Sequence, residues 1–205
     1  MKKIIVILIT MSVMCGFNAY AADRVNRVHT FELDDFDEVE INNSVASIDL
    51  RLVEGNELRV EVDIEGQERF LRRDVDVDDV DVDVRMRGDK LILTINDEDV
   101  KADWYIEMPA VSDIEIDMGV GKINVEIGAS NLEIDLGVGE IDIDAPLATV
   151  GEIEISAGVG DTTIRGISSV DESRVMISSE SEAYGDGELS IDAEVGVGDI
   201  TVRLN

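Results

Sequence analysis

Ile114-Glu115-Ile116-Asp117-Met118-Gly119-Val120-Gly121 and, eighteen residues on, Leu132-Glu133-Ile134-Asp135-Leu136-Gly137-Val138-Gly139 are the same phrase written twice. In each, an aliphatic residue alternates with an acid until a Gly-Val-Gly triplet interrupts the rhythm. Alternation with period two is the pattern of a strand with one face buried and one in water. The β-branched Ile and Val suit an extended chain better than a helix, and glycine clusters would break a helix. Gly-Val-Gly returns at Gly158-Val159-Gly160 and Gly196-Val197-Gly198, so the central valines lie 18, 21 and 38 residues apart. Because 38 is twice 19, one unit that has lost its triplet is expected between Val159 and Val197, over Val175 to Gly187.

A repeat of about 20 residues that carries two short strands cannot bury its apolar face alone, and it gains a core by stacking on its neighbours. The pattern therefore predicts an all-β, single-stranded parallel β-solenoid with coils of about 18–21 residues. In each coil the glycines form a corner that a side chain would obstruct. Val120, Val138, Val159 and Val197 are expected to point inward and stack from coil to coil.

Upstream of the repeats, residues 31–109 read as strands separated by turns at Glu54-Gly55-Asn56 and at Gly88, and residues 110–205 carry the Gly-Val-Gly units. Between the turns lies Asp74-Val75-Asp76-Val77-Asp78-Asp79-Val80-Asp81-Val82-Asp83-Val84, whose alternation slips by one residue at Asp78-Asp79. Such a slip exchanges the buried and exposed faces, so a bulge or turn is expected at that pair.

The chain opens with Lys2 and Lys3, an apolar run from Ile4 to Phe17, and Ala19-Tyr20-Ala21. A positive start, a short apolar stretch and an Ala-x-Ala site make up a secretory signal peptide, here residues 1–21, with 22–205 as the exported domain. Lipidation at Cys15 is the alternative, with the bulky Met14 against it. Cleavage after Ala21 removes the only cysteine, so the exported domain has to fold without disulfides. It also removes Lys2 and Lys3, taking the net charge from −30 to −32. A chain so acidic repels nucleic acid and anionic lipid, which excludes nucleic acid as a partner and leaves no segment for membrane insertion once the signal is gone. The expected location is the periplasm, with outer-membrane or cell-surface association open. An envelope or surface partner is expected, and homo-oligomerisation is open.

The signal peptide, the strand Trp104-Tyr105-Ile106-Glu107-Met108-Pro109 and the Gly-containing repeats together resemble the bacterial "putative adhesin" β-strand-repeat proteins, whose head is also described as an adhesin-like GIN domain. The likeness runs from about Phe31 to Asn205. It implies a parallel β-solenoid with no assigned activity, and it supplies no catalytic residue.

The residues themselves offer little for catalysis. His29, the only histidine, is expected to be exposed in a loose N-terminal segment, and no thiol remains after export. Arg165 beside Gly166 is the candidate base for a carbohydrate-active enzyme, and it reads more simply as a charge partner. The expectation is a non-enzymatic module with no cofactor. Calcium is the ion to consider, since stacked coils would bring like acids about 4.8 Å apart and hard oxygen ligands suit it. The candidate metal ligands are Asp117, Asp135, Asp161, Asp192 and Asp199, with Asp117, Asp135 and Asp192 in one row and Glu115, Glu133 and Glu154 in the next. Lys122, which follows the first corner, could neutralise one rung. Arg69, Arg72 and Arg73 are expected to pair with the Asp-Val tract, and Trp104, Tyr105 and Met108 to serve as core or end cap.

Overall fold

A computed structural model describes residues 24–66, 77–95, 97 and 99–205. The signal segment, Cys15, Arg69, Arg72, Arg73 and Asp74 to Asp76 lie outside the described residues.

Strands form over most of the alternating stretches, though Val77 to Val82 of the Asp-Val tract lie outside any strand. In chain order they are β1 (Arg24–Glu32), β2 (Glu38–Leu52), β3 (Glu57–Gly66), β4 (Asp83–Arg87), β5 (Lys90–Ile95), β6 (Val100–Met108) and β7 (Asp113–Glu126). They continue with β8 (Asn131–Ala145), β9 (Val150–Val159), β10 (Thr162–Arg165), β11 (Val170–Val175), β12 (Ser178–Tyr184) and β13 (Leu189–Leu204). A 3-10 turn at Leu33–Asp35 separates β1 from β2. All thirteen join one sheet. The turn expected at Asp78-Asp79 is present, closed by Val80 N–H donating to the Val77 carbonyl at 3.1 Å.

The middle of the sheet is a parallel ladder in strict register. Asp113 to Glu126 of β7 pair rung for rung with Asn131 to Asp144 of β8. Only Ile127 to Ser130 connect the two strands. Fourteen extended residues would span roughly 46 Å, whereas a four-residue connection reaches at most about 14 Å. β7 must therefore fold back on itself, and the Gly-Val-Gly triplet is where it does so. Ile114, Ile116 and Met118 before the corner and Ile123, Val125 and Ile127 after it all enter one aliphatic core. The inward set changes from even to odd numbers across the corner, so the corner absorbs one residue of phase.

That change of phase reverses the expected direction of the valines. Val120, Val138, Val159 and Val197 do not face the interior; they point outward from the bend, 47, 46, 42 and 47% exposed. The glycines beside them have a different task. Gly139 has φ +151°, and a Cβ placed on it would lie 1.7 Å from the Gly121 carbonyl oxygen. Gly121, Gly160 and Gly198 repeat the arrangement against the neighbouring strand. The corner is a place where backbone packs on backbone.

Two features depart from a solenoid that is parallel throughout. First, the sheet is mixed: β3 runs antiparallel to β1 and β6, β4 to β5, and β12 to β9 and β11. Second, the chain does not stack in sequence order. β13 lies between β8 and β9, parallel to both, and places Val197 level with Val138 on one side and Val159 on the other. The further unit expected over Val175 to Gly187 is not there; that length is spent on the hairpin of β11 and β12, which covers the outer side of β9. The other end mirrors this. β2 lies between β7 and the pair β5 and β6, which cover its first and second halves, as β9 and β10 cover the two halves of β13.

His29 is also buried, contrary to expectation, at 6% exposure. Alternation in β1 sets it on the inward side opposite Val60, and its Nε2 meets Asp81 Oδ1 at 2.9 Å. Arg27 holds the same covering segment by donating to the carbonyls of Asp78 and Val80. Trp104 and Met108 are core residues and Tyr105 is exposed.

Substituting Gly139→Val should cost more than about 3 kcal/mol, since it combines a disfavoured backbone angle with a collision against backbone that cannot yield. Glu140→Ala, at an exposed position, should change stability by no more than about 1 kcal/mol, even though it removes the ion pair with Lys122. Denaturant unfolding of the two variants checks this, with equal midpoints as the contrary outcome.

Candidate interaction surface: rows of carboxylates

Register pairing turns the alternating acids into rows that cross the sheet. On the face formed by the strand segments before the corner, Glu40, Glu115, Glu133, Asp192, Glu154 and Glu182 occupy six successive rungs. Adjacent rungs are about 4.8 Å apart. A second row, two residues along, carries Asp117, Asp135 and Glu194, then Ser156 and Glu180. Asp192 thus belongs with Glu133 and Glu154, not with Asp117 and Asp135 as the sequence suggested. Asp161 and Asp199 lie beyond the corner, where Asp199 Oδ1 accepts the Asp161 N–H at 2.8 Å and Arg174 pairs with Asp161. The five candidate ligands are therefore spread over three places. Arg165 stands exposed at the end of β10, which pairs with the part of β13 past the corner, away from the carboxylate rows.

Like charges at this spacing oppose one another, and the face is neutralised from one end. Lys90 on β5 reaches Glu115 at 2.6 Å and Glu40 at 3.3 Å, and the hydrogen bond to Glu115, more than any other contact, holds its ammonium above the usual lysine range. Among the described residues no basic side chain sits in the row at the other end. There Asp192 first, then burial, then Glu182 and Glu180 push the Glu154 carboxyl above its ordinary value. Carboxylate oxygens of Glu154, Glu180 and Glu182 come within 4.8 Å of one another, a grouping that oxygen-seeking divalent cations could share. The alternation in β9 marks Glu154; Glu180 and Glu182 arrive through an antiparallel hairpin that carries no repeat signature. Between the two ends runs a shallow trough of about 500 Å³ floored by Glu115, Glu133, Glu154 and Asp192.

The strand segments past the corner carry both signs, although acids remain in excess. Lys122 bridges Glu140 at 3.2 Å and Asp142 at 3.3 Å, and Arg203 reaches Asp142 at 2.6 Å. Burial alone would raise the Asp142 carboxyl, but hydrogen bonds from Arg203 and Lys122 outweigh it and hold the group below the usual carboxylate range. The charge asymmetry between the two faces distinguishes the first as the candidate interaction surface.

Fold and surface together define an all-β strand-repeat protein with one acidic face. The chain belongs to the Toast_rack_N family, the N-terminal domain of toast_rack, DUF2154, whose pattern matches residues 21–165. That match accords with the resemblance to adhesin-like strand-repeat proteins. Among solved structures, a "putative cell adhesion protein" from Clostridium sporogenes is similar at 14% identity and a TM-score of 0.52, over 89% of this chain and 100% of that one. A "putative adhesin" from Bacteroides fragilis aligns at 12% identity with a TM-score of 0.30, over 89% of this chain and 98% of the other. No curated protein matches the chain. Among the described residues no helix is long and apolar enough to cross a membrane.

The two shifted carboxyls give opposite pH signatures. Glu154 holds its proton more tightly folded than unfolded, so it weakens the fold at neutral pH, and the penalty disappears as pH falls below its unfolded value near 4.5. Glu154→Gln should therefore raise the melting temperature at pH 7 and lose that advantage at pH 4. Asp142 behaves oppositely: its contribution is full above the unfolded value and is lost as pH falls through the lowered folded value. Asp142→Asn should destabilise at pH 7 by about 1 kcal/mol. Thermal melts of both variants across that pH range read the two signs.

Proposed function

We propose that this protein is a non-enzymatic, exported module of the cell envelope, built as a solenoid-like stack with antiparallel end caps, that uses its acidic face for adhesin-like binding. The observation that carries the proposal is the unbroken carboxylate row from Glu40 to Glu182. A fold needs only polarity on its outer side, and mixed charges, as on the opposite half, satisfy it at less electrostatic cost. Retaining one sign across six rungs favours a role in contact with cationic groups. The fold shared with the Clostridium sporogenes protein and the signal-like N-terminus point the same way. We place the protein in the periplasm or on the outer surface, as the signal peptide implies.

The test is retention on isolated cell envelopes at moderate salt. Neutralising the centre of the row with Glu115→Gln, Glu133→Gln and Asp192→Asn should release the protein while its melting temperature holds or rises. Release by neutralising Glu140 and Asp144 on the opposite half, with the first variant still retained, would contradict the proposal.

A second reading, calcium-dependent binding, is favoured by the Glu154, Glu180 and Glu182 grouping. Calorimetric titration with calcium chloride separates the two. The acidic-face reading expects no saturable heat, whereas a one-site isotherm abolished by Glu182→Gln would transfer the proposal to calcium.

A further inference from the structure

The corner valines pose a question that the core does not answer. Val45, Val120, Val138, Val197 and Val159 stand level on five successive strands, one valine per rung. The glycines beside them are required by backbone contact, but nothing in the interior requires a valine, because the last four are more than two-fifths exposed. On β2 the flanking residues are Ser44 and Ala46, and the valine is still present. In a chain whose outward positions are otherwise largely charged or polar, five rungs carry the same aliphatic residue on the convex edge. The result is an apolar ridge about 19 Å long. The glycines leave backbone without side chains on either side of it, covered at Gly160 by Ile177 and Arg174.

Charge borders the ridge on both sides. Three residues before the valines stand Asp117, Asp135 and Glu194; two residues after them stand Glu140, Asp199 and Asp161. Two cations already serve the second line, Lys122 on Glu140 and Asp142 and Arg174 on Asp161, so the unopposed charge lies mainly in the first line and at Asp199. A second copy of this chain, docking ridge to ridge, would bring both acid lines against their like. A surface that complements the ridge must offer one apolar row with cations on both sides.

We propose that the valine ridge is a docking edge for a cationic amphipathic helix of another protein, whose apolar stripe lies along the valines and whose flanking lysines or arginines meet the two carboxylate lines. A helix rises 5.4 Å per turn and the ridge about 4.8 Å per rung, so a stripe of about 13 residues keeps abreast of five rungs. The ridge borders the broad acidic face and shares with it the row Asp117, Asp135 and Glu194, but the inference stands without any binding by the row from Glu40 to Glu182.

The probe is a fluorescein-labelled peptide of about 18 residues made of Leu and Lys, with the leucines in one helical stripe, titrated into the purified protein at fixed moderate salt. Saturable one-to-one binding is expected. Combining Val120→Thr, Val138→Thr and Val197→Thr keeps the β-branched shape and should leave the melting temperature near that of the parent while weakening binding by about tenfold or more. A peptide of the same composition with its Leu and Lys order scrambled should lose a similar factor on the parent. Equal affinity in the threonine variant, or for the scrambled peptide, would overturn the proposal and leave only diffuse charge attraction. A parent that sediments as a dimer, and a threonine variant that sediments as a monomer, would overturn it in favour of self-association. Should the triple variant melt early, a photo-crosslinking form of the peptide on the parent decides. Adducts at residues 119–121, 137–139 and 196–198 support the ridge, and adducts confined to 113–115 and 131–133 refute it.

Discussion

The structure depends on the close approach of backbone to backbone at the Gly-Val-Gly corner. A strand of fourteen residues can return to its own starting level through a four-residue turn only if it bends sharply, and it can stack in register on a neighbour only if nothing projects between them at the bend. The second glycine of each triplet meets both conditions. Its φ near +150° suits the bend, and its missing Cβ leaves room for the carbonyl of the adjacent rung. Once the corners are in register, every other position follows: aliphatic residues fall on aliphatic residues inside the bend, acids on acids outside it, and valines on valines along its edge.

This strictness explains why charge is both abundant and unevenly compensated. A register that stacks like on like gives Glu115, Glu133, Asp192 and Glu154 an acid on both sides. Relief comes from residues that break the pattern, such as Lys122 within the repeat and Lys90 and Arg203 near its margins. The strand segments that hold Lys122 and Arg203 are partly neutralised. The segments before the corner have Lys90 at one end and, toward β9 and β12, carboxyls that interact mainly with one another. The ends of the parallel ladder are closed by antiparallel strands, which satisfy edge hydrogen bonds without extending the stack.

Much of the ladder was legible in the sequence, because period two and the eighteen-residue repeat are direct expressions of strand geometry. The turn at Asp78-Asp79 was legible for the same reason, as a slip in phase. The direction of Val120 and its counterparts was not, since alternation carried straight through the corner places them inside, and only the bend itself changes the phase. The position of β13 was hidden too: its alternation suits β8, β9 or a further coil equally well, and the choice rests on contacts between residues 59 and 38 positions apart. The carboxylate rows were available in principle. Glu115, Glu133, Glu154 and Asp192 each lie five residues before their valine, whereas Asp117 and Asp135 lie three before, so counting from the corner assigns Asp192 to its row. The burial of His29 depends on Asp81 lying across it, a tertiary contact with no local signal.

The ladder with β13 at its centre is the claim on which the carboxylate rows and the valine ridge both stand, because β13 supplies Asp192, Glu194 and Val197 to the middle of each. Amide hydrogen exchange followed residue by residue tests it most directly. Buried between two parallel partners, the amides of Ile191 to Val202 should exchange as slowly as those of Leu132 to Ile143 and far more slowly than those of Val170 to Val175, which form an outer strand of the sheet. Rapid exchange across residues 191–202, at the rate of the 170–175 strand, would contradict the account, since it would place the C-terminal strand at an edge and dissolve both rows.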